Sequence, residues 1–106
     1  MLTVRDRNIA RLLKKRIKAV TPINRMVVYG SRARGDAEPD SDLDIYIELP
    51  ALTPTLRRTI SEMAWEVSLD KGVVISPFVA ASRDLLSSPL AANPLLFAVK
   101  TEGIAV

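Results

Sequence analysis

Gly30-Ser-Arg-Ala-Arg-Gly-Asp-Ala-Glu-Pro-Asp-Ser-Asp-Leu-Asp44 lies between two apolar runs, Arg25-Met-Val-Val-Tyr29 before it and Leu43 to Leu49 after it. Along the second run Leu43, Ile45, Ile47 and Leu49 alternate with Asp44, Tyr46 and Glu48. A period of two is the signature of a strand with one apolar face. Residues i and i+2 of a strand share a face, so Asp42 and Asp44 present their carboxylates side by side while Leu43 turns the other way. Two adjacent carboxylates repel unless a cation joins them. The expected cation is Mg²⁺, a hard ion that binds through one or two carboxylates together with substrate phosphates.

Upstream, Gly30 lets the backbone turn tightly and approach a ligand closely. Ser31 can offer its N–H and its hydroxyl to a phosphate oxygen. By itself a Gly-Ser pair is also an ordinary turn, and it is the aspartates that favour a phosphate site. Arg32 and Arg34 are near enough in sequence to help neutralise a triphosphate, and a solvent-exposed or loop-pairing role stands beside that one. Asp36, Glu38 and Asp40 are expected to solvate the loop or pair with these arginines. Glu48 has the parity of Asp44 but lies four residues along, about 13 Å away in a strand, so it is not a first metal ligand.

The remaining elements fall on either side of this block. Ile9, Leu13, Ile17 and Val20 predict a helix from about residue 3 to 20, ended by Thr21-Pro22. Thr53-Pro54 is an N-cap followed by Pro at the first helical position, and Leu56, Ile60, Met63 and Val67 carry a second helix to about Asp70, before Gly72. Val73 to Ala80 reads as a third strand, with Pro77 demanding an edge position or a bulge. Ser82 caps a short turn; Asn93-Pro94 starts a helix stopped by Gly103; Ile104 to Val106 is a last short strand or an ordered tail. Trp65 lies off its helix's apolar stripe and is expected to pack under a loop rather than in an interface. The elements describe an α/β (α+β) protein: a small mixed sheet with helices on one side, forming a single domain over 1–106.

Composition limits the chemistry. Without cysteine or histidine, thiolate zinc sites, disulfides and imidazole catalysis are excluded, leaving carboxylates, hydroxyls, Lys, Arg and metal. The net charge of +3 conceals an asymmetry: residues 1–20 hold seven bases against Asp6, and residues 36–48 hold six acids and no base. The basic stretch reads as a solvated helix face. It lacks the interleaved aromatics that single-strand binding favours, so nucleic acid is not the expected partner. No apolar run has signal-peptide or membrane-spanning length, and a cytoplasmic protein is expected.

In this order, helix, strand, Gly-Ser, acidic loop, strand with Asp-x-Asp, helix and strand, the chain resembles the minimal nucleotidyltransferases of the DNA polymerase beta-like superfamily. The resemblance rests on Val27-Val-Tyr-Gly30-Ser31, ten intervening residues and Asp42-Leu-Asp44, with Gly30–Ala37 and Ser41–Asp44 matching the form of the small prokaryotic members. It implies that Gly30 and Ser31 hold the terminal phosphates of a nucleoside triphosphate, expected to be ATP, and that Asp42 and Asp44 hold the Mg²⁺ bridging them. Family members usually carry a third carboxylate on the strand after the second helix. Here that strand has no acid, with Ser76 or Val74 at the corresponding position, and neither Glu66 nor Asp70 is placed to substitute. So short a chain has no second lobe for an acceptor, which implies a partner: a helical HEPN-type protein, as in toxin–antitoxin pairs where the transferase adds AMP to its partner, or a second copy. The other readings are a catalytically weak antitoxin module and a small-molecule transferase of the antibiotic-modifying kind.

Overall fold

Two threonines start the two long helices. In a computed structural model that describes residues 1–85 and 93–106, Thr3 accepts the Asp6 N–H at 3.0 Å at the head of α1 (Val4–Lys18), and Thr53 accepts the Leu56 N–H at 3.0 Å at the head of α3 (Pro54–Lys71). Such caps satisfy donors that have no partner within the helix. Gly72, in the left-handed region at φ 70°, ends α3 as its place in the sequence predicts. Val20 does not extend the apolar stripe: α1 stops at Lys18, ahead of Thr21-Pro22, and Val20 is 52% exposed.

Between the helices lie β1 (Arg25–Tyr29), a one-turn helix α2 (Ser31–Arg34) and β2 (Leu43–Leu49); after α3 come β3 (Ile75–Ala81), a 3-10 turn (Ser82–Leu85), α4 (Pro94–Glu102) and β4 (Ile104–Ala105). The sheet order is β3-β2-β1-β4, with β2 and β3 parallel and the other pairs antiparallel. The mixed sheet is as expected. The parallel pair is joined through α3, the length of connection that parallel neighbours require. Pro77 sits on the edge strand, where its missing N–H is tolerated.

Alternation along the strands sends Met26, Val28, Leu43, Ile45, Ile47, Leu49, Ile75 and Val79 to one face, where Ile9, Leu13 and Ile17 of α1 and Ile60, Ala64 and Val67 of α3 cover them. Each fully buried side chain of this kind contributes roughly 1.5–3 kcal/mol of transfer free energy. On the opposite face Val27, Tyr29, Tyr46 and Ala80 meet Val99 of α4, and the Tyr46 and Phe78 rings pack edge to face, 5.3 Å apart. The two long helices therefore occupy one side as expected, but the short α4 covers part of the other, so the helices are not confined to one face. Asp44 belongs by parity to the α4 side.

Two further expectations are corrected. The acidic loop expected between Gly-Ser and Asp-x-Asp is not irregular throughout, because the chain makes one helical turn, Ser31–Arg34, directly after Gly30. Trp65 is not packed under a loop among the described residues and is 61% exposed on the outer face of α3. Among the described residues no helix is long and apolar enough to cross a membrane.

Candidate active site

At the end of β1 the backbone reverses at Gly30 with φ 78° and ψ −160°, a conformation open in practice only to glycine. Space imposes the same demand. A Cβ at this position would collide with Oδ2 of Asp44, so the Asp44 carboxylate lies directly over the turn. In the sheet Asp44 stands between Tyr29 of β1 and Ser76 of β3. Asp42, one residue ahead of β2, is exposed.

Asp44 is partly buried, and its carboxyl is held above the ordinary aspartate value. Burial contributes most, the negative charge of Asp42 adds to it, Arg34 opposes it, and Glu102 adds a further increment. Tyr29 responds to the same environment: burial and the Asp44 charge both push its hydroxyl up. Negative charge thus outweighs the compensation that Arg34 supplies, and a cation bound between Asp42 and Asp44 would relieve it. Hard carboxylate oxygens on a glycine-cleared turn fit Mg²⁺. Among the described residues no group of three or more His, Cys, Asp or Glu is arranged to hold a metal, so these two aspartates would need phosphate and water oxygens to complete the shell.

The two arginines have separate fates. Arg32 turns away from the aspartates into a buried clamp: Nη1 donates to both oxygens of Asp6 at 3.1 Å, Nε to the Ser41 carbonyl at 2.8 Å and Nη2 to the Pro39 carbonyl at 3.2 Å. With every guanidinium nitrogen engaged, Arg32 ties α1 to the segment that delivers Asp42, and the expected phosphate contact gives way to this role. Arg34 remains by the aspartates. Its Nε donates to Asp36 at 3.2 Å, a loop pairing anticipated from the sequence, and its Nη1 donates to both Glu102 oxygens at 3.0 Å.

Three other acids are engaged elsewhere. Glu48 accepts from the Tyr46 hydroxyl at 2.8 Å and from Ser82 Oγ at 3.0 Å, away from the turn as its spacing requires. Glu66 pairs with Arg16 at 3.7 Å and Asp70 with Lys71 at 3.5 Å, all on exposed surface. The β3 residue beside Asp44 is Ser76, so no acid stands at that register. Glu102 joins this cluster through Arg34, although the sequence reading gave it no role there. It is 68 positions from Arg34, and no local pattern signals a contact that arises only when α4 folds over β1.

Comparison with known proteins agrees with this geometry. The family described as "Nucleotidyltransferase domain" matches residues 7–77. A candidate protein adenylyltransferase of Methanocaldococcus jannaschii is 36% identical over 59 residues, which cover 54% of this chain and 59% of that protein. The match thus spans less than two thirds of that relative's length. Two crystal structures share the fold over 94% of this chain and 70% of theirs. One is a toxin–antitoxin with AMP-PNP, at a TM-score of 0.62 and 20% identity, and the other is a mutant of the MntA–HpeT toxin–antitoxin, at 0.60 and 18%.

Proposed function

The chain belongs to the nucleotidyltransferase domain family, and on that premise we propose that it binds a Mg²⁺–nucleoside triphosphate, ATP by preference, and transfers the nucleotide to a hydroxyl of a partner protein. The observation that carries this reading is the Asp44 carboxylate seated over the Gly30 turn with Asp42 adjacent. Asp42 and Asp44 are the proposed metal ligands and catalytic carboxylates. Gly30 leaves room for phosphates, Ser31 offers its N–H and hydroxyl to them, and Arg34 supplies positive charge. Arg32 acts at one remove, through the path of the loop.

In the transfer, the acceptor oxygen forms a bond to the α-phosphorus, the α–β bridging P–O bond breaks, and pyrophosphate leaves. Bound Mg²⁺ would neutralise the charge gathering on the phosphates. The acceptor hydroxyl must lose its proton, and β3 offers Ser76 rather than a carboxylate. General-base assistance is worth about 10²–10⁴-fold. The chain therefore works slowly, or takes its base from the partner. A HEPN-type helical protein is the proposed partner. The adenylyltransferase description of the Methanocaldococcus relative supports AMP as the transferred group, and the toxin–antitoxin assemblies of the structural neighbours support a protein partner. Ser76 beside Asp44 favours one second reading, a catalytically weak antitoxin that acts by binding.

Incubation with α-labelled ATP and Mg²⁺, with and without the neighbouring gene product, separates the two. Label on the partner supports transfer. Tight association without label supports the antitoxin. Absence of Mg²⁺-dependent triphosphate binding, or binding unchanged in Asp42→Asn with Asp44→Asn, refutes both the metal and the phosphate assignments.

A further inference from the structure

We propose that Glu102 is a positioning residue for the triphosphate: from the end of α4 it fixes the Arg34 guanidinium beside the aspartates, with one nitrogen left over for phosphate. This rests on the functional reading above. It extends that reading to a residue outside the family match, which stops at residue 77.

Three features carry it. First, the Arg34 fork is divided. Asp36 takes Nε and Glu102 takes Nη1 with both oxygens, and among the described residues Nη2 has no protein acceptor. An arginine held by two of its nitrogens presents the third in a fixed direction, since the guanidinium is rigid and planar.

Second, Glu102 itself has a firm seat. Val99, one turn earlier, is buried against the sheet beside Val27 and Tyr29. The Gly103 N–H donates to the Val99 carbonyl at 3.1 Å, and a Cβ on Gly103 would run into that carbonyl and into Val27 Cγ1. Directly afterwards β4 pairs with β1, Ile104 opposite Val28 and Ala105 opposite Val27. The backbone that carries Glu102 is thus held by packing on one side and sheet pairing on the other.

Third, the placement has a cost that a mere surface pair would avoid. Glu102 brings another negative charge toward Asp42 and Asp44, and it is compatible with them because Arg34 pairs with it there. Asp36 alone would leave Arg34, with its side chain 45% exposed, free to sample many rotamers. Ordering such a side chain only when the ligand arrives would weaken binding roughly three- to tenfold.

Calorimetric titration of Mg²⁺ with α,β-methylene-ATP into the wild type, Glu102→Gln, Glu102→Ala, Arg34→Ala and the Arg34→Ala/Glu102→Ala double variant tests the assignment, with circular dichroism verifying the fold of each. Glu102→Gln keeps the size and an acceptor oxygen, so it covers the case in which the alanine variant unfolds. The expected result is a roughly three- to tenfold weaker affinity for the Glu102 variants, and no further loss from Glu102→Ala once Arg34 is absent. An affinity unchanged by either Glu102 substitution overturns the proposal. So does an equal loss in the Arg34→Ala background, which would mean that Glu102 acts through the fold. A wild type with no Mg²⁺-dependent binding defeats the functional reading and this inference together, whereas wild-type binding insensitive to Glu102 defeats this inference alone.

Discussion

Removing the carboxylate of Asp6 should destabilise the protein more than any other single change to a charged residue near the Gly30 turn. Asp6 is 3% exposed and the Arg32 side chain 12%, so the pair is largely out of water. In Asp6→Ala the guanidinium keeps the Ser41 and Pro39 carbonyls but loses both 3.1 Å bonds from Nη1 and its counter-charge. Breaking a fully buried ion pair by deleting one partner costs about 3–5 kcal/mol. The two surviving carbonyl bonds and the residual exposure reduce this to about 2–3 kcal/mol. For a domain of this size that is a fall in Tm of roughly 8–20 °C, readable by circular dichroism during heating or in urea. Asp6→Asn should lose less, because the amide oxygen still accepts a hydrogen bond. The double variant Asp6→Ala/Arg32→Met should recover part of the loss, since no buried charge then lacks a partner. Mg²⁺ affinity should fall in Asp6→Ala as well, because the segment reaching Asp42 is no longer tied to α1. A Tm drop below about 4 °C, or strict additivity in the double variant, would refute the clamp.

Five further outcomes are expected. Because the folded-state carboxyl of Asp44 is raised above the usual 3.8, its favourable contribution is complete below that value and is lost as pH rises through the folded value. At neutral pH Asp44→Asn should therefore raise the Tm of the metal-free protein slightly, and also abolish the Tm increase that Mg²⁺ gives the wild type. By the same sign, acidification should weaken Mg²⁺ binding at a pH above the ordinary aspartate range, measurable by metal titration between pH 4 and 7. Gly30→Ala should cost about 1–3 kcal/mol in backbone strain and displace Asp44, eliminating Mg²⁺-dependent triphosphate binding. Gly72→Ala, strained but with open space around it, should lower stability and leave that binding intact. Ser68→Ala removes a buried hydroxyl that donates to the Ala64 carbonyl at 2.6 Å and accepts the Ile75 N–H at 2.9 Å, so chemical denaturation should show a loss of about 1–3 kcal/mol.

The readings that succeeded from sequence share a physical basis. Thr53, Pro54 and Gly72 act on backbone groups within one turn, and the Leu43–Leu49 alternation acts on the strand that contains it. Pro77 could be confined to an edge or a bulge because of its own missing donor, and the strand order settled on the edge. Where the sequence reading fell short, the deciding contact came from far along the chain. Trp65 has an apolar side chain and an off-stripe position, and neither says whether another element will cover it.

The turn and the paired aspartates were determined by the sequence itself, because glycine's freedom, strand parity and the spacing from Ser31 to Asp42 are local properties. Which arginine serves them was decided by tertiary structure. Arg32 and Arg34 are two residues apart and chemically identical, yet Asp6 on α1 draws one into a buried clamp while Glu102 on α4 holds the other beside Asp44. Neither partner is marked by any local pattern. Each is selected by which helix the sheet places on which of its faces, and that depends on strand order and register across the whole chain.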